Sequence, residues 1–222
     1  MKKRIVDHFA IKITDQELAG TLRLVNDPSD EDFQTATGML REALGCARPR
    51  FVYGLAGIDE KGEDYIVVEG QRIVSTLVRQ NVDKIHRIVP YVATCGVEAE
   101  DWSHQYTDFL EHFWADEIKN LILYHSIGVM HQTIQSEYFP VGDMSAMSPG
   151  SLPAWPVTGQ TSLFDLIGQV KESVGVSLTD SCLMIPGKSV SGFYFASDSH
   201  FENCRLCPRQ RCPNRKAACK HE

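Results

Sequence analysis

A chain of 222 residues with 43% hydrophobic and 23% charged residues has the balance of a globular protein, which excludes a wholly disordered chain. The net charge of −7 disfavours nucleic-acid binding, and no apolar run approaches the roughly 20 residues that cross a bilayer. No apolar segment follows the basic N-terminus, so we expect no signal peptide and a cytoplasmic location, where seven cysteines favour metal or redox chemistry over disulfides.

The first hundred residues predict two helices followed by strands. Thr14 and Glu17 have the spacing of a capping box, and a second helix is expected from about Ser29 to Leu44, before Pro49 breaks it. Three segments then have the apolar pattern of strands, and the first two are joined by a hairpin turn. These strands are residues 51–58, 65–68 and 88–94. Residues 73–79 fit either a helix or a strand.

One long amphipathic helix is expected from about Glu98 to Gln132. Its apolar side is traced by Trp102, Tyr106, Phe109, Phe113, Leu121 and Ile122. Asp116 shares this face, and Glu117 lies beside it. A carboxylate on an apolar stripe needs a partner, borders a cleft or reaches to solvent, and the sequence leaves these three readings open.

The last part of the chain predicts a structured loop, a helix and two strands. The loop covers residues 139–156, where prolines and glycines alternate without the composition of a flexible linker. A helix is expected over 162–173, and strands over 178–185 and 189–196. Because helices and strands do not alternate strictly, we expect an α+β fold with a mostly antiparallel sheet.

The C-terminal segment has the cysteine density of an inorganic site. Its cysteines are Cys204, Cys207, Cys212 and Cys219. A Cys-x2-Cys pair can hold one ion from a tight turn, and the spacing suits zinc or an iron–sulfur cluster equally, with free or redox-paired thiols as the alternative. His200 or His221 is an alternative fourth ligand. From Asn203 onward six Lys or Arg residues accompany one Glu, so the tail is a solvated basic segment or pairs with an acidic partner or a negatively charged cluster.

Other candidate groups give weaker signals. Cys46, Cys95 and Cys182 are typical of small buried side chains, although Cys95 precedes a helix whose dipole would stabilise a thiolate. Four histidines of the predicted long helix form no metal-binding pair and are interpreted as surface or core-edge residues. They are His104, His112, His125 and His131. No nucleotide-binding glycine motif and no Gly-x-Ser-x-Gly motif is present.

Two stretches carry a specific resemblance. One joins SPGSLPAWP at 148–156 to QTSLFDLI at 160–167, and the other is GVSLTDSCLMIPGKSVSGFYF at 175–195. Together they resemble the activation domain of cobalamin-dependent methionine synthase, and ATCG at 93–96 resembles stand-alone bacterial relatives of that domain. The resemblance divides the chain into an activation-like domain at 1–201 and a Cys-rich tail at 202–222 that lies outside the family pattern.

The resemblance implies an α+β fold with a curved, mostly antiparallel sheet flanked by helices, and a function in corrinoid chemistry. Such a domain docks on a corrinoid protein, presents S-adenosylmethionine to its cobalt, and works with a reductase. The family's acidic ligand on the long helix corresponds to Asp116, whereas its arginine and tyrosine are replaced here by Ala146 and Ser151. The contacts implied for cofactor binding are Asp116, Ser148, Pro149, Gly150, Ser151, Ala154, Ser191 and Tyr194.

Three functional hypotheses remain open from the sequence. The first is reactivation of a corrinoid methyltransferase, methionine synthase or a relative, by reductive methylation with S-adenosylmethionine. The second keeps the fold as a docking platform and assigns the electron that reduces Co(II) to Co(I) to an iron–sulfur cluster on the tail. The third is a zinc-stapled interaction module without cobalt chemistry. The expected partners are a corrinoid-binding protein or methionine synthase subunits, with neither nucleic acid nor membrane.

Overall fold

The computed structural model describes residues 1–197 together with Arg205, Leu206 and Ala218. In this part of the chain the strands are β1 (Lys2–Val6), β2 (Arg50–Lys61), β3 (Tyr65–Val68), β4 (Gln71–Val74), β5 (Arg87–Thr94), β6 (Met144–Met147), β7 (Ser177–Leu178), β8 (Met184–Ile185) and β9 (Ser189–Ala196). The α-helices are α1 (Asp15–Leu22), α2 (Glu31–Cys46), α3 (Thr76–Asn81), α4 (Val97–Ser103), α5 (Phe109–Tyr138), α6 (Gln160–Ile167) and α7 (Val170–Val174), and Val157–Gly159 forms a 3₁₀ turn.

Seven strands form one antiparallel sheet. Its order is β4-β3-β2-β5-β9-β6, and β1 pairs with β2 outside this path. The last strand, β9, therefore lies inside the sheet, between β5 and β6. An irregular register between Ile58 and Glu60 marks a bulge in the long strand β2, and such a bulge increases local twist. The expected α+β class with an antiparallel sheet is confirmed.

Helices cover both faces of the sheet. On one face, Met130 and Ile134 of α5 pack with Tyr53, Tyr91 and Tyr194 from the strands. On the same side, α1, α2 and α4 join α5 in a second apolar cluster. On the opposite face, α6, α7 and Trp155 pack against alternate residues of the same strands. Successive side chains of a strand point to opposite faces, so each sheet residue belongs to one layer or the other.

The predicted helix start at Thr14 is confirmed in detail. The Thr14 Oγ1 accepts a hydrogen bond from the Glu17 N–H at 3.2 Å, and the Glu17 carboxylate accepts one from the Thr14 N–H at 2.8 Å. Both partners of a capping box are present, which satisfies two of the backbone donors that a helix start leaves free. The hairpin of β2 and β3 is also confirmed, with the Gly62 N–H donating to the Tyr65 carbonyl at 2.9 Å.

The single long helix predicted for residues 98–132 is wrong. The chain forms α4 and then α5, and Asp108 begins α5 by accepting hydrogen bonds from the N–H groups of Leu110 and Glu111. The residues predicted to form the buried side at the start of this helix are wrong as well. Phe109 is 89% exposed and Phe113 is 45% exposed, while the buried residues of this part are Trp114, Ala115 and Ile118.

Three other boundaries differ from the prediction. The helix expected over 162–173 divides into α6 and α7, because Gly168 and Gln169 take positive φ angles of 66° and 49°. The strand expected over 178–185 is a small hairpin of β7 and β8. The segment 73–79 contains the end of β4 and the start of α3, so both of its readings apply in part. Strands β1 and β6 were not predicted.

The four tail cysteines and the proposed boundary at 201/202 lie outside the described residues, so the metal site and the tail stay predictions. Within the described part, no group of three or more His, Cys, Asp and Glu side chains is arranged to hold a metal ion. None of the helices in that part combines the length and apolar character that crossing a membrane requires.

Candidate functional site

Strand pairing brings together the two segments that carry the family resemblance. Ala146 of β6 lies opposite Tyr194 of β9, and Met147 lies opposite Phe193. The proline–glycine loop leaves β6 at Ser148 and contacts β9 at Gly192, and among the described strands none pairs with the first half of β9 on this side. The loop and the last strand therefore form one continuous surface unit.

Gly192 permits the closest approach in this unit. A Cβ atom at residue 192 would lie 2.4 Å from the Met147 carbonyl oxygen, 2.7 Å from the Ser148 Oγ and 2.9 Å from the Tyr91 hydroxyl. The Ser148 Oγ is itself 3.5 Å from the Tyr91 hydroxyl. Any residue larger than glycine would push the loop away from β9, so Gly192 fixes where the loop begins.

The loop has the ordered geometry that its composition predicts. The Gly150 N–H donates to the Trp155 carbonyl at 2.8 Å, and the Trp155 N–H donates to the Leu152 carbonyl at 3.0 Å. Gly150 has a φ of 78°, a conformation that favours glycine, and Trp155 anchors the loop in the core at 1% exposure. Pro149 is buried, whereas Gly150, Ser151 and Ala154 are exposed and accessible to a ligand.

Tyr194 and Ser191 lie on opposite faces of β9. The Tyr194 ring is buried and stacks on Tyr91 with a centroid distance of 4.8 Å, and this burial raises the pKa of its phenol. The Ser191 hydroxyl is also buried and donates to the Gln160 Oε1 at 3.1 Å. Because one residue faces α5 and the other faces α6, they cannot contact the same face of a ligand, and their binding roles stay predictions.

Asp116 belongs to a charged cluster at the start of β9. The Lys188 ammonium lies 2.7 Å from one carboxylate oxygen of Asp116, and the Lys119 ammonium lies 3.7 Å from the other. Lys119 also pairs with Glu100 at 2.9 Å. The Asp116 side chain is 42% exposed, Lys188 is 22% exposed and Lys119 is only 8% exposed. Of the readings open for Asp116, the structure selects the partnered carboxylate.

The predicted contacts divide into two groups along β9. Lys188 precedes Gly192 by four residues, which corresponds to about 13 Å of extended strand, and Tyr194 lies about 20 Å from Lys188. The charged cluster with Asp116 thus lies near one end of β9, and the loop group with Ser148 lies near its middle. Lys188 was missed by sequence reasoning, because only the tertiary contact with α5 gives it significance.

Cys95 is not a stabilised thiolate. The side chain is fully buried, and its thiol donates a weak hydrogen bond to the Gly96 carbonyl oxygen at 3.6 Å. Burial raises the pKa of the thiol to about 12, although the nearby Lys119 ammonium opposes this shift. The expectation of thiolate stabilisation at the helix start is therefore wrong, because desolvation outweighs the short helix α4.

Among the residues that the structure describes, three surface clefts can be compared with the predicted site, and none of these three is lined by Asp116. One of 490 Å³ lies beside Phe9, Leu44 and Arg48, and one of 320 Å³ lies beside His86, Arg87 and Phe139. The third, of 440 Å³, includes Ala154 with Arg72 and Gly159. Of the predicted contacts, Ala154 alone lines one of these clefts.

The fold and this surface unit define a class of protein. An antiparallel sheet lies between two helical layers, an ordered proline–glycine loop packs on the middle of strand β9, and a charged cluster lies near the start of that strand. Residues 144–206 match the family described as vitamin B12 dependent methionine synthase, activation domain. The matched segment begins with β6 and includes the loop, α6 and β9.

A solved structure shares the fold over most of the chain. It is described as the crystal structure of the MetH reactivation domain bound to AdoHcy, and the match covers 91% of this chain and 81% of that chain. The TM-score is 0.62 at 19% sequence identity. Comparison with curated proteins gives no match. The resemblance of this chain to the activation domain of cobalamin-dependent methionine synthase is thereby confirmed.

Proposed function

We propose that this chain reactivates a cobalamin-dependent methyltransferase, methionine synthase or a relative of it, by docking on the corrinoid protein and supporting reductive methylation. One electron from a reductase takes Co(II) to Co(I), and Co(I) accepts the methyl group of S-adenosylmethionine. The methyl group passes from sulfur to cobalt, so the products are methyl-Co(III) and S-adenosylhomocysteine. The chain itself binds, orients and docks, while the corrinoid carries the chemistry.

One observation carries this proposal. The segment from β6 to β9 that matches the activation domain family also forms a single spatial unit, in which Ser148 meets Gly192 and Tyr91. Loop and strand are held at a distance that only glycine permits. Fixed backbone geometry favours binding. A surface that is already ordered loses less conformational entropy when the ligand binds than a flexible one does.

One side chain supports binding of S-adenosylmethionine at its charged amino acid end. Asp116 offers a half-exposed carboxylate, the group expected to receive an α-ammonium. Ala146 provides no guanidinium and Ser151 no phenol, so two contacts implied by the family pattern have no counterpart at these positions. A lost charged hydrogen bond of this kind costs on the order of 2–3 kcal/mol. The exposed backbone at Gly150 and Ser151 offers the remaining polar contacts.

Exposed apolar side chains that lie close in sequence to Asp116 and Lys188 support a docking role. Phe113 lies one helical turn before Asp116 and is 45% exposed. Leu183, just before β8, is 58% exposed, Ile185 in β8 is 54% exposed, and both precede Lys188 along the chain. Apolar surface beside a binding site is typical of a face that a partner covers. We assign this face to the corrinoid-binding protein.

A reconstituted reaction tests the function. A corrinoid protein in the Co(II) state is mixed with a one-electron reductase and S-adenosylmethionine, with and without this chain. We expect the electron paramagnetic resonance signal of Co(II) to disappear, and methyl-Co(III) absorbance to appear, much faster when the chain is present. Equal rates with and without the chain across methionine synthase and related corrinoid proteins would contradict the proposal.

The tail cysteines favour a second candidate function. Four cysteines within sixteen residues form a ligand set for an iron–sulfur cluster, which would deliver the electron to Co(II) directly. In this version the chain docks on the corrinoid protein but does not need S-adenosylmethionine, in keeping with the alanine at position 146. The chain is first reduced chemically and the excess reductant is removed. Co(II) reduction by this reduced chain without S-adenosylmethionine or an added reductase, in proportion to the cluster content, would distinguish this version from the first.

A further inference from the structure

Strand β4 lies at one end of the sheet and has a free edge. It pairs with β3 on one side, and among the described strands none pairs with it on the other. Ile73 of β4 is 1% exposed and packs in the apolar cluster that includes residues of α6, so the strand is held firmly. An edge of this kind offers unpaired backbone groups to another chain.

The hydrogen-bond pattern shows which backbone groups of β4 are free. The Ser75 N–H donates to the Asp64 carbonyl oxygen at 2.8 Å, one step beyond the pairing of Val74 with Tyr65. In an antiparallel ladder, hydrogen-bonded pairs alternate with pairs that exchange no hydrogen bond. The N–H and C=O groups of Arg72 and Val74 therefore point away from β3, toward the free edge.

A cleft of 440 Å³ lies along this edge, with Arg72 and Val74 on one side. The wall that faces β4 includes Pro156, Thr158, Gly159 and Ser162. The Ser75 Oγ donates to the Ala154 carbonyl at 2.8 Å, which fixes the end of β4 to this wall. A cleft with two fixed walls needs little rearrangement to take up an extended chain, which favours affinity.

The exposed side chains of β4 indicate what an added strand would carry. The Arg72 guanidinium lies 3.5 Å from the centroid of the Tyr65 ring and makes no hydrogen bond or ion pair with any residue that the structure describes. Val74 is 54% exposed. Side chains directly opposite each other in paired strands interact, so a carboxylate would pair with Arg72 and an apolar side chain would cover Val74. The residue between them points to the other face, where Asp64 and Ser162 favour a hydroxyl group.

A second copy of this chain fits the edge less well. Two copies related by a two-fold axis at Ile73 would place Arg72 of each copy opposite Val74 of the other, so neither guanidinium would gain a carboxylate. Each chain also carries a net charge of −7, so two copies repel one another.

We infer that the free edge of β4 binds an extended, acidic segment of a partner protein as an added antiparallel strand, with a carboxylate opposite Arg72 and an apolar side chain opposite Val74. Read from its N-terminus, the segment has the order apolar, hydroxyl, acidic. Backbone hydrogen bonds provide the affinity and the alternate side chains provide the specificity. This binding site is independent of the function proposed above.

A short peptide tests the inference. The probe is acetyl-Ser-Thr-Val-Thr-Glu-Thr-Ser-amide, titrated into the isotope-labelled full chain and followed by nuclear magnetic resonance. We expect the amide signals of Arg72 and Val74 to shift most. Replacing the glutamate of the peptide by glutamine should weaken binding by up to about fivefold, the range of an exposed ion pair. N-methylation of the peptide at its valine and glutamate removes the N–H groups that would pair with β4 and should abolish binding.

Substitutions in β4 provide the second measurement. Val74→Pro removes an N–H that β3 does not use, and proline is tolerated on edge strands, so the variant should fold and lose peptide binding. Arg72→Met should weaken binding by the same factor as the glutamine peptide. Arg41→Met, at an exposed position of α2, is the matched control. Far-ultraviolet circular dichroism checks that each variant is folded.

Each outcome decides the inference without affecting the proposed function. Shifts confined to the edge of β4, together with loss of binding on N-methylation, support the inference. Equal binding of the N-methylated peptide, shifts elsewhere, or no binding to the folded wild-type chain overturns it. A dimer seen by light scattering that Val74→Pro dissociates overturns it in favour of a second copy. Displacement of the peptide by S-adenosylmethionine overturns it by assigning the cleft to that ligand.

Discussion

The Lys188 ammonium donates to the Asp116 carboxylate at 2.7 Å, which joins the residue before the last strand to the second turn of helix α5. The two residues are 72 positions apart in the chain. Their contact places the only acidic residue that the family resemblance singled out beside a lysine that it did not. The charged cluster is therefore a tertiary feature, and its role can be tested residue by residue.

Asp116→Asn should weaken binding of S-adenosylmethionine by about tenfold or more, because the amide cannot balance the charge of an α-ammonium. Isothermal titration measures this change. Glu117→Gln, at the next position of the same helix, is the matched control and should leave the affinity unchanged. If both substitutions weakened binding equally, the cause would be the general negative charge of this part of the helix rather than a direct contact at Asp116.

Gly192→Ala should displace the loop from β9 and lower both stability and ligand binding. Its Cβ would lie 2.4 Å from the Met147 carbonyl oxygen, closer than real Cβ atoms approach, so the backbone must shift. Overpacking of this kind costs about 1–3 kcal/mol. Chemical denaturation measures the loss.

Gly128→Ala provides the comparison for Gly192. Nothing lies within 4 Å of a Cβ at residue 128, and its position inside α5 favours alanine by up to about 1 kcal/mol. The free energy of unfolding should stay the same or rise. If Gly192→Ala were as stable as Gly128→Ala, the tight contact between loop and strand would be refuted.

Stability should fall as the pH rises from about 9 toward 12, in part through Cys95. Burial raises the pKa of its thiol from 9.0 to about 12 in the folded chain. Above about pH 9 the unfolded chain releases this proton while the folded chain keeps it, so unfolding becomes more favourable with rising pH. Below pH 9 both states hold the proton and the effect is absent. Urea unfolding at pH 8, 9 and 10 measures the slope.

Cys95→Ala should reduce that slope, since it removes one of the groups that titrate in this window. Iodoacetamide labelling offers a second measurement. Cys182, which is partly exposed, should react in the folded chain, whereas Cys95 should react only after unfolding. Rapid labelling of Cys95 in the native protein would contradict its burial.

Anaerobically purified protein should contain metal bound by the tail. Four thiolates within sixteen residues repel one another unless a cation or a cluster neutralises them. Metal analysis with a visible spectrum separates iron and sulfide from colourless zinc. Cys207→Ser should lower the metal content, while Cys46→Ser, within the folded domain, should not. If the protein contains no metal either as purified or after reconstitution with iron and sulfide or with zinc, the tail cysteines do not form a metal site.

The sequence predicted the features that depend on neighbouring residues. The capping box at Thr14 and Glu17, the hairpin of β2 and β3 and the buried strand β5 each have a local cause, and all three are confirmed. The family resemblance predicted the fold. These predictions needed no knowledge of distant contacts.

The errors have tertiary causes. Helix α5 was extended backward through Asp108, although its start is set by that side chain and its first turn exposes Phe109 and Phe113. Exposed aromatic residues can recur with the helical period just as buried ones do. Periodicity alone could therefore not distinguish the exposed residues of this turn from buried ones. The partner of Asp116 could not be predicted either, because Lys188 meets it only after β9 has joined the sheet.

Strand β9 occupies an interior place in the sheet although it is made after the other strands of the described part of the chain. On the ribosome, β5 and β6 emerge before the strand that must pair with both of them. The nascent polypeptide therefore carries two unpaired strand borders until residue 196 has been synthesised, a stage at which chaperones protect chains from aggregation.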